Sequence, residues 1–263
     1  MSHMKKILTS TKTTGLMFVL AAALLLFAGV GGARAALAYY SDTYTAEVQM
    51  FDIGVSLLER TDPAADYSVI ASRNYSGSGD GRWVTQSGAL LETMLGDGEA
   101  LVPGKVYPEY VAASNSGTIN EFVRITIRKY WTDAEGAKRP DLSPDLITVG
   151  YAANSGWTED TSSATAERRV FYYNNVLLPG AETSALTESV SISGSVATKV
   201  TQTRSADGKT ITTTYDYDGV RFVLEAEVDA VQDHNAADAA LSAWGKTITT
   251  SGEGDNKTMT LAQ

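Results

Sequence analysis

An all-β fold, a jelly-roll-like β-sandwich with one or two short helices, is predicted by three features of this chain. Short runs of alternating apolar side chains recur along it, Gly-containing turns separate them, and only one stretch has strong helix propensity. The clearest β pattern is Glu121–Trp131, where Val123, Ile125, Ile127 and Trp131 share one face and Arg124, Thr126 and Arg128 the other. Full burial of each aliphatic side chain there contributes about 1.5–3 kcal/mol. A second run, Lys105–Ser114, ends at Asn115-Ser116-Gly117, a sequence that tolerates left-handed backbone and reads as a reversal. The two runs predict a central hairpin with one dry and one wet face.

The N-terminal residues read differently. Lys5, Lys6 and Lys12 precede an uncharged apolar run, Leu16–Val30, and small residues follow. Basic flank, apolar core and an A-x-A exit are the parts of a secretory signal peptide. Both Ala33-Arg34-Ala35 and Ala36-Leu37-Ala38 fit such an exit; cleavage after Ala38 is expected, with Ala36 and Ala38 as the small residues and Tyr39 as the new N-terminus. The alternative is a retained membrane anchor, since the run is near the lower length for crossing a bilayer. The expected organisation is a signal peptide over residues 1–38 and one sandwich domain over residues 39–263.

Residues 1–38 carry four basic side chains (Lys5, Lys6, Lys12, Arg34) and no acidic ones, so their removal takes the formal charge from −10 to −14. That balance argues against nucleic acid as a partner and favours solubility outside the cell. The chain has no cysteine, which excludes disulfides and thiol-ligated metal and leaves packing, assembly or bound ions to hold an exported domain together.

In chain order, strands are expected over Glu47–Glu59, Tyr67–Ala71 and Arg82–Gln86, with a Ser/Gly loop, Ser76–Gly81, between the last two. Ala89–Leu95 is apolar but too short for period to decide its type. Val102-Pro103-Gly104 and Leu178-Pro179-Gly180 are matching corners that each feed a strand, Pro setting φ and Gly supplying φ > 0. Ser143-Pro144 opens one helical turn before a strand over Leu146–Tyr151, and Arg169–Val176 is another strand. Val190, Ile192, Val196 and Val200 share a face of Thr187–Gln202. Turns at Asp207-Gly208 and Asp218-Gly219 then predict a meander through Thr210–Tyr217 and Val220–Val231. The helix is Ala236–Trp244, capped by Asn235 and ended by Gly245, with Ala237, Ala240, Leu241 and Trp244 as its apolar stripe.

Catalytic motifs are missing. There are two histidines, and His3 leaves with the signal peptide, so His234 alone makes no H-E-x-x-H or paired zinc site. Its neighbours Asp233 and Asn235 place it at a strand-to-helix corner. No G-x-S-x-G elbow and no phosphate-binding loop occurs. The acidic turns at Asp97/Glu99, Asp216/Asp218 and Glu253/Asp255 lack the ligand run of a calcium loop and read as solvated turns. No enzyme activity, cofactor or metal is expected. Tyr172-Tyr173 or Tyr215/Tyr217 fit either a sugar-stacking ladder or aromatic pairs within a sheet.

Taken in order, the motifs resemble the TasA/camelysin family, exported proteins of Gram-positive bacteria processed by a SipW-type signal peptidase. The resemblance runs from Gly31-Gly32 and Ala38-Tyr39-Tyr40-Ser41-Asp42-Thr43 through Phe51-Asp52-Ile53-Gly54, Leu58-Glu59, Pro103-Gly104, Asn115-Ser116-Gly117 and Val123-Arg124-Ile125. It continues at Trp157, Tyr172-Tyr173, Pro179-Gly180, Thr183, Glu225-Ala226-Glu227, Val231-Gln232 and Trp244. The family implies a jelly-roll domain and a place in extracellular fibres of the biofilm matrix, whose subunits donate an N-terminal strand to the next copy. The metallopeptidase label of camelysin-like members finds no histidine pair here. The resemblance therefore implies a secreted fibre subunit whose partners are the signal peptidase, further copies of itself and an accessory matrix subunit or cell-wall component. It would reside in the extracellular matrix or at the cell surface.

The donated strand would be Tyr39, Tyr40, Ser41, Asp42, Thr43, Tyr44, Thr45, Ala46, Glu47 and Val48, a run free of Pro and Gly. An extended peptide of this kind can satisfy the open N–H and C=O groups of a sheet edge. A frayed terminus or an ordinary first strand is the alternative for this segment. For the whole chain the alternatives are a cell-surface adhesin or glycan-binding module and, less favoured, a secreted camelysin-like peptidase.

Overall fold

The alternation read over Glu121–Trp131 forms a strand, Glu121–Thr132, and that read over Val220–Val231 forms another, Arg221–Gln232. The computed structural model describes residues 52–75, 83–92, 94–95, 99–205 and 211–262. In it these two strands pair antiparallel without interruption, from Arg221 opposite Thr132 to Gln232 opposite Glu121. The strands in chain order are β1 (Ile53–Arg60), β2 (Ser68–Tyr75), β3 (Trp83–Gln86), β4 (Val106–Pro108), β5 (Tyr110–Asn115) and β6 (Glu121–Thr132). Next come β7 (Ile147–Tyr151), β8 (Trp157–Glu159), β9 (Arg168–Tyr173), β10 (Thr187–Ile192), β11 (Val200–Arg204), β12 (Ile211–Tyr215) and β13 (Arg221–Gln232). Helix α1 (Ala236–Trp244) precedes the closing pair β14 (Ile248–Ser251) and β15 (Thr258–Leu261).

One sheet has the order β3-β2-β1-β5 and a second the order β13-β6-β9-β8. Their facing sides make the main core, with Val55 and Leu57 of β1 and Val111 and Ala113 of β5 against Val123, Ile125 and Ile127 of β6 and Leu224 and Val228 of β13. A smaller sheet, β4-β10-β7, extends the first layer, because the chain before β10 bonds to β5: Thr183 N–H donates to Ala113 O and Leu186 N–H to Val111 O. The result is the all-β sandwich expected, with one α-helix among the described residues.

The other side of β6 and β9 is covered at one end. Phe122, Tyr172, Val231, Ala240, Trp244 and Met259 form a second core beneath α1 and the β14–β15 pair. A third cluster, Trp131, Leu142, Ile147, Ile192 and Val196, fills the opposite end. The wet face expected on β6 is therefore only partly wet: Phe122 is fully buried and Thr126 nearly so.

Four expectations are corrected. The central hairpin does not form: β5 pairs with β1, and β6 with β13 and β9. Asn115–Gly117 instead carries the chain from one layer to the other, held over the start of β1 by Ser116 and Gly117 N–H groups that both donate to Gly54 O, at 2.7 and 3.0 Å. Lys105–Ser114 is two strands, because the chain leaves the β10 edge at Pro108 and joins β1 from Tyr110. Thr187–Gln202 is broken by a 3-10 turn at Gly194–Thr198, so Val200 is exposed while Val190, Ile192 and Val196 are buried. The three-strand meander stops after its first hairpin: β11 pairs with β12 as expected, but among the described residues β13 pairs with β6 and not with β12.

Smaller departures follow the same logic. The helix has the expected span, yet Ala236, Ala240 and Trp244 are its buried side and Leu241 is 55% exposed. Asn235 sits at the cap position without a side-chain cap bond. The hairpin β14–β15 and strand β8 escaped the sequence. The two Pro-Gly corners are the turns expected: Gly104 and Gly180 have φ of 86° and 75°. Lys105 N–H bonds Val102 O in one, and Ala181 N–H bonds Leu178 O in the other. Asp207-Gly208, Asp97-Gly98 and the loop Ser76–Gly81 lie outside the described residues.

Candidate assembly surface

The expected cleavage residues Ala36, Ala38 and Tyr39, and the expected donated strand Tyr39–Val48, lie outside the described residues, which begin at Asp52. The described residues open on a close contact between the start of β1 and the turn after β5. Asp52 N–H donates to Thr118 Oγ1 at 2.9 Å, and Thr118 N–H returns a bond to Asp52 O at 2.9 Å. Gly54 and Gly117 meet so closely that a Cβ on Gly117 would stand 2.4 Å from Asp52 O, and one on Gly54 would stand 2.9 Å from Gly117 N. Two motifs separated by some sixty residues are thus one clamp at the start of β1. Asn115, 1% exposed, braces it by donating from Nδ2 to Ile119 O and Leu177 O. Glu121 lies in the same corner, fully buried, with no charged partner among the described residues. Burial pushes its carboxyl up to about 9, opposed by the nearby Gly54 N–H.

The second feature is an open edge. β13 bonds to β6 along one side, and no described strand pairs with its other side. Among the described residues the backbone groups along that side of the strand therefore have no partner strand, which makes it a template for another one. A groove of about 560 Å³ runs between this edge and β2–β3. Ala71, Ala226 and Val228, all packed against or within the main core, supply its apolar part, and Ser72, Thr85, Gln86 and Glu227 its polar rim.

Charge marks out the groove. Arg73 reaches from β2 to Asp229 on β13, and Arg124 Nη2 bonds the other oxygen of the same carboxylate at 2.6 Å. Asp229 is 6% exposed, so the two guanidinium groups compensate a carboxylate that water does not reach. Further along, Arg128 Nη1 pairs with Glu227 at 2.9 Å, and Tyr130 Oη donates to Glu225 at 2.5 Å. The Arg128–Glu227 and Tyr130–Glu225 pairs sit on the outer face of β6–β13, while Arg73 comes to Asp229 from β2.

The remaining sequence candidates take structural positions. His234 is exposed at the strand-to-helix corner. Tyr172 is buried edge-on against Trp244, Tyr173 packs on Trp157, and Tyr217 meets Trp131 at 4.9 Å. These three tyrosines form aromatic pairs within the fold, whereas Tyr215 is 57% exposed on β12. Lys246, just past α1, pairs with buried Asp160 at 2.5 Å. Burial alone would raise that carboxyl, but Lys246 and Ser162 hold it well below the usual range. Among the described residues no three His, Cys, Asp or Glu side chains gather as a metal-binding group, and no helix is long and apolar enough to cross a membrane.

Sequence reasoning missed the edge and the buried acids. Nothing in the pattern of Val220–Val231 says which of its sides stays unpaired. The acids do leave a trace: Glu59 follows Val55 and Leu57 in phase, and Glu109 precedes Val111 and Ala113 in phase, each at a core position. Searches of protein-family models, of curated proteins and of solved structures find no match to this chain.

Proposed function

We propose that this chain is a secreted structural subunit of extracellular matrix fibres, and that copies join when the segment Tyr39–Val48 of one adds as a strand to the sheet edge of the next. The observation that carries it is the unpaired edge of β13 beside an apolar-floored groove. A strand added there would satisfy open backbone groups and place alternate side chains over Ala226 and Val228. The clamp at Asp52–Gly54 supports the same reading by giving the donated segment a fixed point of departure. In that segment Tyr40, Asp42, Tyr44 and Ala46 face one way, and Tyr39, Ser41, Thr43 and Thr45 the other. Cleavage after Ala38 would free it, so polymerisation would wait for export.

The test is a protein starting at Tyr39 compared with one lacking Tyr39–Thr45. The longer protein forms fibres under negative-stain microscopy, whereas the shorter one stays a folded monomer. A synthetic peptide spanning Tyr39–Val48 then binds the shorter protein and slows amide exchange across Arg221–Gln232. Polymerisation of the shorter protein to the same extent would overturn the proposal.

A further inference from the structure

No residue of β11 or β12 enters a core cluster, and every one is exposed, yet the ribbon they form is chemically sorted. Residues opposite one another in an antiparallel ladder share a face. Val200 stands opposite Tyr215, Gln202 opposite Thr213 and Arg204 opposite Ile211, so these six make one face. Thr201 opposite Thr214 and Thr203 opposite Thr212 make the other, an array of threonines alone. Val200, Ile211 and Tyr215, at 39%, 57% and 57% exposure, therefore lie on one side of the ribbon. Single exposed apolar side chains are ordinary, but three on one face of so short a pair form a patch.

Each strand also has a free side, since among the described residues β11 and β12 pair only with each other. Exposed edges are commonly protected by charge, by Pro or by a bulge. β11 follows Lys199 and ends on Arg204. β12, Ile211-Thr212-Thr213-Thr214-Tyr215, has no charge, no Pro, no Gly and an unbroken register, and it holds only residues favoured in strands. The chain as a whole has a formal charge of −10, so copies repel over most of their surface, and an uncharged edge is where they can meet.

The β12 sequence is complementary to itself. Two copies laid antiparallel about a two-fold axis at Thr213 set Ile211 opposite Tyr215 of the second copy, Thr212 opposite its Thr214, and Thr213 opposite its Thr213. Aromatic with β-branched, and Thr with Thr, are pairs that stabilise antiparallel ladders by about 0.2–1 kcal/mol each. The same operation on β11 about Gln202 sets Val200 opposite Arg204, a poorer match.

We propose that the free edge of β12 pairs antiparallel with β12 of a second copy, about a two-fold axis at Thr213, to make a four-stranded sheet across two molecules. On one face the row of Val200 and Tyr215 is continued by Ile211 of the second copy, so the exposed apolar side chains of both close into one strip. The two-fold gives each ribbon one partner. Two strands of this length bury far less than the roughly 1,000 Å2 of a stable interface, so the pair is transient between free monomers. Repetition along a polymer multiplies it. Joining fibres side by side is thus a consequence that rests on the fibre reading; the pairing itself does not.

The chain has no cysteine, so a single introduced one reports the register. Opposed residues of an antiparallel pair stand about 4.5–5.5 Å apart at Cα, within reach of a disulfide. The test uses protein starting at Tyr39 under mild oxidation. Thr213→Cys gives a covalent dimer on a non-reducing denaturing gel about tenfold faster than Thr203→Cys, which is also exposed but lies on β11. Thr212→Cys mixed with Thr214→Cys links across the two variants faster than either links alone. Adding Thr212→Lys and Thr214→Lys to Thr213→Cys sets like charges opposite one another and removes the advantage, and Thr212→Lys with Thr214→Glu restores it. The gel reads this contact whether or not the protein polymerises through its N-terminal segment. The proposal is overturned if Thr213→Cys links no faster than Thr203→Cys. It is equally overturned if the mixture shows no preference, or if the added lysines leave the rate unchanged.

Discussion

β6 with β13 and β11 with β12 are both antiparallel pairs with alternating sequences, yet they differ in nearly every physical respect. The first runs through Arg221–Gln232, and its inner face carries Val123, Ile125, Ile127, Leu224 and Val228 into the main core. The second is shorter, and every one of its residues is exposed, including Ile211 and Tyr215 at 57% each. Backbone pairing is common to both; what separates them is a second layer. The β6–β13 face is opposed by β1 and β5, whereas the described residues place nothing against the ribbon. Hydrogen bonds between strands therefore do not by themselves make a core, since their net worth in water is small and burial of apolar surface stabilises more.

The sharpest way to break the comparison is to cut a side chain from the covered pair. Ile125 is fully buried between the layers. Ile125→Ala is expected to cost about 4 kcal/mol of unfolding free energy, the transfer loss plus the cavity left behind. Urea denaturation followed by circular dichroism measures it, with a lower midpoint and an unchanged slope as the outcome. A loss below about 1 kcal/mol would mean that the two layers do not close on this residue.

A buried acid on β6 gives an intermediate effect of opposite sign. Glu121, at the first position of the strand, carries a carboxyl pushed from 4.5 to about 9 by burial. The folded state holds its proton where the unfolded state has lost it. Its stabilising contribution is thus complete below pH 4.5 and drains away as pH rises through about 9. Glu121→Gln removes that dependence and should gain about 1–3 kcal/mol at pH 8, and less at pH 5. Thermal unfolding of both proteins from pH 5 to 9 checks it, and parallel curves would contradict the assignment.

The ribbon should answer least. Ile211→Ala and Tyr215→Ala are expected to change stability by no more than about 0.5 kcal/mol, because each side chain keeps most of its surface in water. If either substitution costs as much as Ile125→Ala, the ribbon has a partner that the described residues do not supply.

Local chemistry wrote much of this molecule into its sequence. The alternation of Glu121–Trp131, the Pro-Gly corners at Gly104 and Gly180, and the span of α1 all depend on a few neighbouring residues. Each stands where those neighbours predict it. Pairing is another matter. A strand with one apolar face can meet any complementary layer, so Asn115–Gly117 reads equally as a hairpin turn or as a crossing between sheets. The choice falls to Gly54, whose carbonyl takes the Ser116 and Gly117 N–H groups some sixty residues away in the chain. For the same reason the open edge of β13, the burial of Glu59 beside Glu109 and the exposure of Leu241 belong to the tertiary structure. Which side of a strand or helix meets water depends on what else packs there, and that is a relation between distant segments.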